Sequence, residues 1–166
     1  TLGFYPHQFI QVNALMNREL VRTVMGYLAP VKGETVLDMF CGIGNFTLPL
    51  AREGARAVGV EASEEAVERA KANAGDNALA SDCRFFAADL YGDAGKGHAI
   101  WSKLEATPKA LILDPPRSGA GPNLDSWVQV ESLQRVVYVS CNPVTFAEDA
   151  KVCLLYTSPS PRDPRE

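Results

Sequence analysis

The sequence predicts an α/β protein with a doubly wound, mostly parallel sheet, and three observations predict it. Five short apolar runs, at 36–40, 57–60, 83–87, 109–113 and 135–139, alternate with segments of helical periodicity, the pattern that builds parallel sheets. Each run stops at a turn or at a polar or reactive residue, and ligands of doubly wound sheets collect beyond the carboxyl ends of the strands. Residues 35–61, T-V-L-D-M-F-C-G-I-G-N-F-T-L-P-L-A-R-E-G-A-R-A-V-G-V-E, read as a strand, a Gly-rich turn, a helix and a second strand closed by Glu61.

Each element has its own signals. Residues 1–12, with Phe4, Tyr5, Phe9, Ile10, Val12 and an early Pro6, read as an extended opening segment. Asn13 is suited to cap a helix on which Met16, Leu20, Val24 and Leu28 recur on one face and Arg18 and Arg22 lie opposite, until Ala29-Pro30 ends it. After the first strand and turn, a helix runs from about Phe46 to Glu53 and stops at Gly54. Pro49 falls near its first turn, where a missing N–H costs little. Ser63 caps the next helix, with Glu64 and Glu65 in the favoured acidic first turn; Ala66, Val67 and Ala70 face inward and Glu68, Arg69 and Lys71 outward. The third strand, 83–87, is followed by Asp89, a polar loop at 92–97 and a helix around 100–104. The fourth strand stops at Asp114-Pro115-Pro116-Arg117, and a helix is expected over 124–133. The fifth strand, 135–139, runs into Ser140-Cys141-Asn142-Pro143, and 145–154 reads as a last helix.

The turn after the first strand indicates the ligand. Gly42 and Gly44 have no Cβ to keep a ligand from the backbone. Glu61 follows Gly42 by 19 positions, close to the ~20 of a nucleoside-binding βαβ unit, and can accept hydrogen bonds from both hydroxyls of a ribose. A dinucleotide fold wants G-x-G-x-x-G, but Thr47 stands where the third glycine belongs. The pattern therefore favours a nucleoside without phosphates, such as S-adenosylmethionine; the alternative is an ordinary βαβ unit with a tight turn.

Composition narrows the class. The 166 residues suit one domain with a substantial core, and a 46% hydrophobic share is normal for a globular chain. No signal peptide is visible and no apolar run reaches the ~20 residues of a membrane span. Cys41, Cys83, Cys141 and Cys153 form no C-x-x-C pair. This argues against a metal or cluster in this chain and for a reducing cytoplasm. A net charge of −4 is unlike a self-sufficient RNA-binding domain, so a nucleic-acid partner would be held largely by other parts.

Two strand ends carry the chemistry. In D-P-P-R the prolines fix an extended segment that sets Asp114 and Arg117 beside a ligand; read alone, it serves equally as a loop stiffener. In S-C-N-P, Cys141 leaves an apolar strand toward the same crevice; the alternative is a buried strand-end cysteine. A thiolate suits one problem in particular. Carbon 5 of uracil is a weak nucleophile, and thiolate addition at carbon 6 turns the ring into an enolate reactive at carbon 5. A base must then remove the carbon 5 proton.

The segments F-I-Q-V-N (9–13), L-D-M-F-C-G-I-G-N-F (37–46), G-V-E (59–61), L-D-P-P-R-S-G-A (113–120) and V-Y-V-S-C-N-P (137–143) closely resemble the bacterial RNA uracil-5-methyltransferases, nearest to those acting on 23S ribosomal RNA. The resemblance covers roughly residues 4–153. It implies a Rossmann-like class I S-adenosylmethionine-dependent methyltransferase fold, here C-terminally truncated, with a catalytic domain over 1–153 and a Pro/Ser-rich tail over 154–166 that is non-native or disordered. It implies that Gln11, which by itself reads as a solvated polar residue, lines the S-adenosylmethionine site with Phe40, Gly42, Gly44, Asn45, Glu61, Asp89 and Asp114. Cys141 matches the nucleophile, and Arg117 and Asn142 are expected at the substrate. Ribosomal RNA is the expected partner of a cytoplasmic, monomeric protein with no membrane contact.

The chain departs from that family's pattern. It lacks the N-terminal RNA-binding β-barrel, the iron–sulfur cysteines often found there, a central insert and the terminal β-hairpin bearing the general base; Glu148 and Glu166 are poor substitutes for that base. The fragment is therefore expected to be inactive alone. A tRNA uridine-5 methyltransferase, an amino-group methyltransferase and a non-catalytic cofactor-binding fragment are the alternatives. The amino-group reading is weakened by Arg117, where an aromatic residue usually follows D-P-P, and it has no use for Cys141.

Overall fold

A computed structural model describes residues 2–4, 13–92, 100, 102 and 104–155. The chain runs α1 (Ala14–Leu28), β1 (Thr35–Met39), α2 (Thr47–Arg52), β2 (Arg56–Glu61), α3 (Glu64–Asp76), β3 (Cys83–Ala87), β4 (Pro108–Leu113), α4 (Leu124–Val128), β5 (Arg135–Tyr138) and α5 (Pro143–Leu155). All pairings are parallel, and the strand order is β3-β2-β1-β4-β5. The expected doubly wound parallel sheet is thus observed. From β1 the chain winds outward through β2 and β3, then crosses back to place β4 on the other side of β1. That reversal leaves a crevice beyond the ends of β1 and β4, the place where such sheets hold ligands.

Burial explains why these runs pair. β1 is buried along its whole length and β4 nearly so. Two apolar layers cover the sheet. One gathers Val36, Ala57, Phe85, Ala110 and Ile112 beneath α1, α2 and α3; the other gathers Leu37, Met39, Val60, Leu111 and Leu113 with Leu124 and Trp127. Alternate residues of one strand point to opposite layers, as strand geometry requires.

The helix starts follow their caps. The side chain of Asn13 accepts from the Met16 N–H at 3.0 Å, and that of Ser63 from Ala66 N–H at 3.2 Å. Four expectations change. Met16 is exposed, because α1 meets the core only further along, through Val24 and Leu28. Arg69 is folded inward rather than outward, donating to Asn73 Oδ1. The fourth helix stops at Val128 instead of 133. The chain then turns, with Leu133 N–H donating to Val130 C=O and Ser132 Oγ to Pro108 C=O, to deliver β5 alongside β4. The last helix begins earlier than 145, at Pro143, as proline at a first helical position allows. Most of the opening segment and of the 92–97 loop, much of the 100–104 helix and all but the start of the 154–166 tail lie outside the described residues. No helix among the described residues is long and apolar enough to cross a membrane.

Candidate functional site

The crevice is built from successive strand ends tied to one another. Cys41 N–H donates to Val60 C=O, Ala88 N–H to Glu61 C=O, Asp114 N–H to Met39 C=O and Val139 N–H to Leu113 C=O. The residues predicted from sequence after β1, β2, β3, β4 and β5 therefore share one rim. Gln11 lies outside the described residues.

The turn after β1 is shaped for close approach. Phe40 has φ +64° and Gly42 φ +52°, and a Cβ on Gly42 would meet nothing within 4 Å. Gly44 differs: a Cβ there would lie 2.4 Å from Leu48 Cδ1, so this glycine lets the turn pack onto α2. Gly42 N–H donates to Glu61 Oε2 at 3.1 Å. The other oxygen of Glu61 accepts from Ala62 N–H and Ser63 N–H at 2.8 and 3.0 Å. The acidic tip of β2 thus fixes both its own loop and the turn opposite. Asn45 exchanges two hydrogen bonds with Asn17, of 2.8 and 3.0 Å, which anchors the turn to α1.

Asp38 lies beneath the turn, fully buried. Its Oδ2 accepts from the Thr47 hydroxyl at 2.5 Å, whereas its Oδ1 has no partner. Burial pushes its carboxyl up to about 7, against the Thr47 hydrogen bond and with help from the charges of Asp114 and Glu61. Burial also raises Asp114, to about 6. Both groups bind protons more tightly in the folded chain than in the unfolded one, so their contribution to stability is lost as pH rises from about 4 to 7. Asp38→Asn keeps an acceptor for Thr47 and has no proton to lose. Its unfolding midpoint should therefore gain on that of the unsubstituted chain between pH 4 and 7. A difference that is constant with pH in denaturant titrations would contradict a shifted Asp38.

An aromatic node joins three loops, and sequence reasoning missed most of it. The Phe40 ring lies 5.8 Å from Tyr91 and 6.0 Å from the buried Trp127. Tyr91 N–H donates to Asp89 Oδ1 at 2.9 Å. The Tyr91 hydroxyl donates to Gly119 C=O and lies 3.1 Å from Ser118 Oγ. Asp89 is thus held at the rim by a residue two positions on. The available signal was an aromatic in D-L-Y-G directly after a strand.

Cys141 is exposed at the end of β5, whereas Cys41 and Cys83 are buried and Cys153 half-buried. Burial, chiefly, pushes the Cys41 thiol well above its ordinary range, which keeps it a neutral packing group. Asn142 caps α5: its Oδ1 accepts from Val144 N–H at 3.0 Å, and its Nδ2 donates to Arg117 C=O at 3.0 Å. Both ends of its amide thus engage the protein. The Arg117 side chain is exposed.

A hollow of about 360 Å³ beside Lys71, Cys83 and Phe86 contains none of these residues. Among the described residues no group of three or more His, Cys, Asp or Glu could hold a metal ion. The rim carries groups that could hold a cationic, hydroxyl-bearing nucleoside. It offers open backbone at Gly42, carboxylates at Glu61 and Asp114 and an aromatic face at Phe40, above the buried carboxyl of Asp38.

The chain is similar to known proteins along most of its length. A family model described as tRNA (uracil-5-)-methyltransferase matches residues 3–157. A 23S rRNA (uracil(1939)-C(5))-methyltransferase RlmD from Pseudomonas aeruginosa is 49% identical over 152 residues, covering 90% of this chain and 32% of its own length. The RlmD of Nitrosococcus oceani is 50% identical over 147 residues, covering 89% and 32%. The crystal structure of Pyrococcus abyssi tRNA (uracil-54, C5)-methyltransferase in complex with S-adenosyl-L-homocysteine aligns with a TM-score of 0.73 at 35% identity, covering 90% of this chain and 34% of that one. A precorrin-8w decarboxylase aligns with a TM-score of 0.71 at 17% identity, a likeness of fold alone. The chain spans about a third of the length of the curated relatives it matches.

Proposed function

The chain belongs to the tRNA (uracil-5-)-methyltransferase family, and from that premise we propose that it is the cofactor-binding and thiol-bearing part of an enzyme that methylates carbon 5 of a uridine in 23S ribosomal RNA. S-adenosylmethionine is the cofactor on this reading; when bound, it supplies an electrophilic methyl group. Glu61 and Asp89 address its ribose and adenine, Phe40 packs against it, and Asp114 faces its cationic end; Gly42 leaves room for it. The Cys141 thiolate adds to carbon 6 of the uracil. An S–C6 bond forms and the 5,6 π pair moves to carbon 5 as an enolate. Once carbon 5 has bonded to that methyl group, with S-adenosylhomocysteine left as the other product, removal of the carbon 5 proton by a base restores the double bond and expels the thiolate, so the enzyme would emerge unchanged.

The observation that carries the reading is the exposed thiol of Cys141 at the end of β5, on the same rim as the carboxylates. A nucleoside-binding module alone would have no need of it. Ribosomal RNA is preferred as substrate because the 23S rRNA relatives are 49–50% identical, against 35% for the tRNA enzyme. The second reading, a tRNA uridine methyltransferase, is favoured by the family description. The test offers the whole protein 5-fluorouridine-containing fragments of 23S rRNA and of tRNA with S-adenosylmethionine. A covalent adduct with the ribosomal fragment is expected; an adduct with tRNA alone would select the second reading, and none with either would refute thiol catalysis.

A further prediction concerns the 166-residue chain by itself. It is expected to bind S-adenosylmethionine without turnover. The proposed cofactor contacts fall within it, but it spans about a third of its relatives. Loss of a positioned general base alone costs ~10²–10⁴ in rate, and a net charge of −4 favours little phosphate contact. Calorimetric titration beside a tritiated-methyl assay checks both halves; multiple turnovers would mean that a carboxylate of this chain is the base.

A further inference from the structure

We propose that the loop over 117–120 is a rigid spacer that sets the Cys141 thiol against the cofactor crevice, and that Asp149 is the positioning residue that locks it. The inference rests on the uracil-5 reading of the site and adds a residue to it.

The face of α5 that meets this loop is spaced 142, 145, 149, three and then four positions apart, as one side of a helix requires. Asn142 Nδ2 and Thr145 Oγ1 donate to the same Arg117 C=O, at 3.0 and 3.1 Å. One turn further on, Asp149 Oδ2 accepts from Ala120 N–H at 2.7 Å. The same oxygen accepts the hydroxyl of Tyr138, the last residue of β5. Loop, strand end and helix therefore converge on a single carboxylate oxygen. Burial first, and then the hydrogen bond to Asp149, raises the Tyr138 phenol, in line with a hydroxyl proton held on that carboxylate.

The fit is close. A Cβ on Gly119 would lie 2.8 Å from Asp149 Oδ2, so only glycine lets the loop backbone press onto the carboxylate. From the opposite side the Tyr91 hydroxyl holds Gly119 C=O, which ties the loop to the node at Phe40 and Asp89. Cys141 sits between Tyr138 and Asn142, both engaged, while its own thiol stays exposed. An exposed nucleophile on a strand end needs its neighbours fixed if it is to meet a base at one distance from the methyl donor. The backbone of the spacer supplies that distance, through the Arg117 C=O and the Ala120 N–H.

The test uses Asp149→Ala and Asp149→Asn in the whole protein. Asparagine keeps one oxygen for Ala120 N–H; alanine keeps none. The expectation for Asp149→Ala is a fall in the rate of adduct formation with 5-fluorouridine RNA on the order of 10²-fold, the usual cost of a ~1 Å misplacement. S-adenosylhomocysteine affinity should be unchanged, and Asp149→Asn should recover most of the rate. An unaltered adduct rate, or equal losses of rate and cofactor affinity in both variants, overturns the inference. If the unsubstituted protein forms no adduct, the uracil-5 reading fails, and the spacer is then judged by NMR-resolved amide exchange. A rigid unit requires the amides of Ala120 and Val144 to exchange faster together in Asp149→Ala; acceleration at Ala120 alone overturns it.

Discussion

Replacing Cys141 with alanine in the whole protein is expected to abolish methyl transfer, a loss of roughly 10⁴-fold or more, the scale on which removal of a nucleophile is felt. Affinity for S-adenosylmethionine should be nearly unchanged, because the proposed cofactor contacts lie on β1 to β4 and the thiol stands at the end of β5. Cys41→Ala supplies the contrast. Cys41 is buried under the turn and its Sγ lies 3.7 Å from Gly42 C=O, so this change should disturb cofactor affinity and stability and leave the chemistry in place. Single-turnover methylation with calorimetric titration separates the two. Methyl transfer retained by Cys141→Ala would refute the covalent mechanism.

Glu61→Ala is expected to weaken S-adenosylmethionine binding by ~1.5–3 kcal/mol, the range for hydrogen bonds to a charged group, or about 10- to 150-fold in Kd. The structure gives this change a second effect. Glu61 also accepts from Gly42, Ala62 and Ser63 N–H groups, and alanine releases all three. The turn that receives the ligand loosens together with the side chain that would address it. Glu61→Gln keeps one carbonyl oxygen and replaces the other with a donor, so it should fall between alanine and the unsubstituted chain. Calorimetry on folded variants, with folding checked by circular dichroism, decides; unchanged affinity would remove Glu61 from the site.

Those two candidates stand out in the sequence for different reasons. Glu61 declares itself by spacing from Gly42 and by closing an apolar run; Cys141 does so by leaving one. The strands were legible because their runs are short, apolar and punctuated, and all five appear within a residue or so of expectation. Helix ends were less so. No Gly or Pro marks the end of α4 at Val128; just beyond it the chain turns and Ser132 reaches Pro108, 24 positions away. Met16 has the spacing of a core residue, but no neighbour covers that turn of α1 among the described residues. The contacts that position the site, Asn17 with Asn45, Tyr91 with Gly119 and Asp149 with Ala120, join elements 28 or 29 residues apart, where no periodicity signals them. Asp38 escaped for the opposite reason: it sits inside an apolar run and its role depends on being buried there.

The unequal burial of the four thiols has an oxidative consequence. Cys41 and Cys83 are sealed in the interior and Cys153 is half-covered, so peroxide or a disulfide reagent finds Cys141 first. Mild oxidation would convert that sulfur to a sulfenic acid or a mixed disulfide, both reversible by added thiol, and leave the fold intact. On the proposed uracil-5 reading, the protein would then retain its cofactor while silent toward RNA, until a reductant restored it. Aerated storage would favour disulfide-joined pairs, and the same exposure makes Cys141 the natural attachment point for a single thiol-directed label.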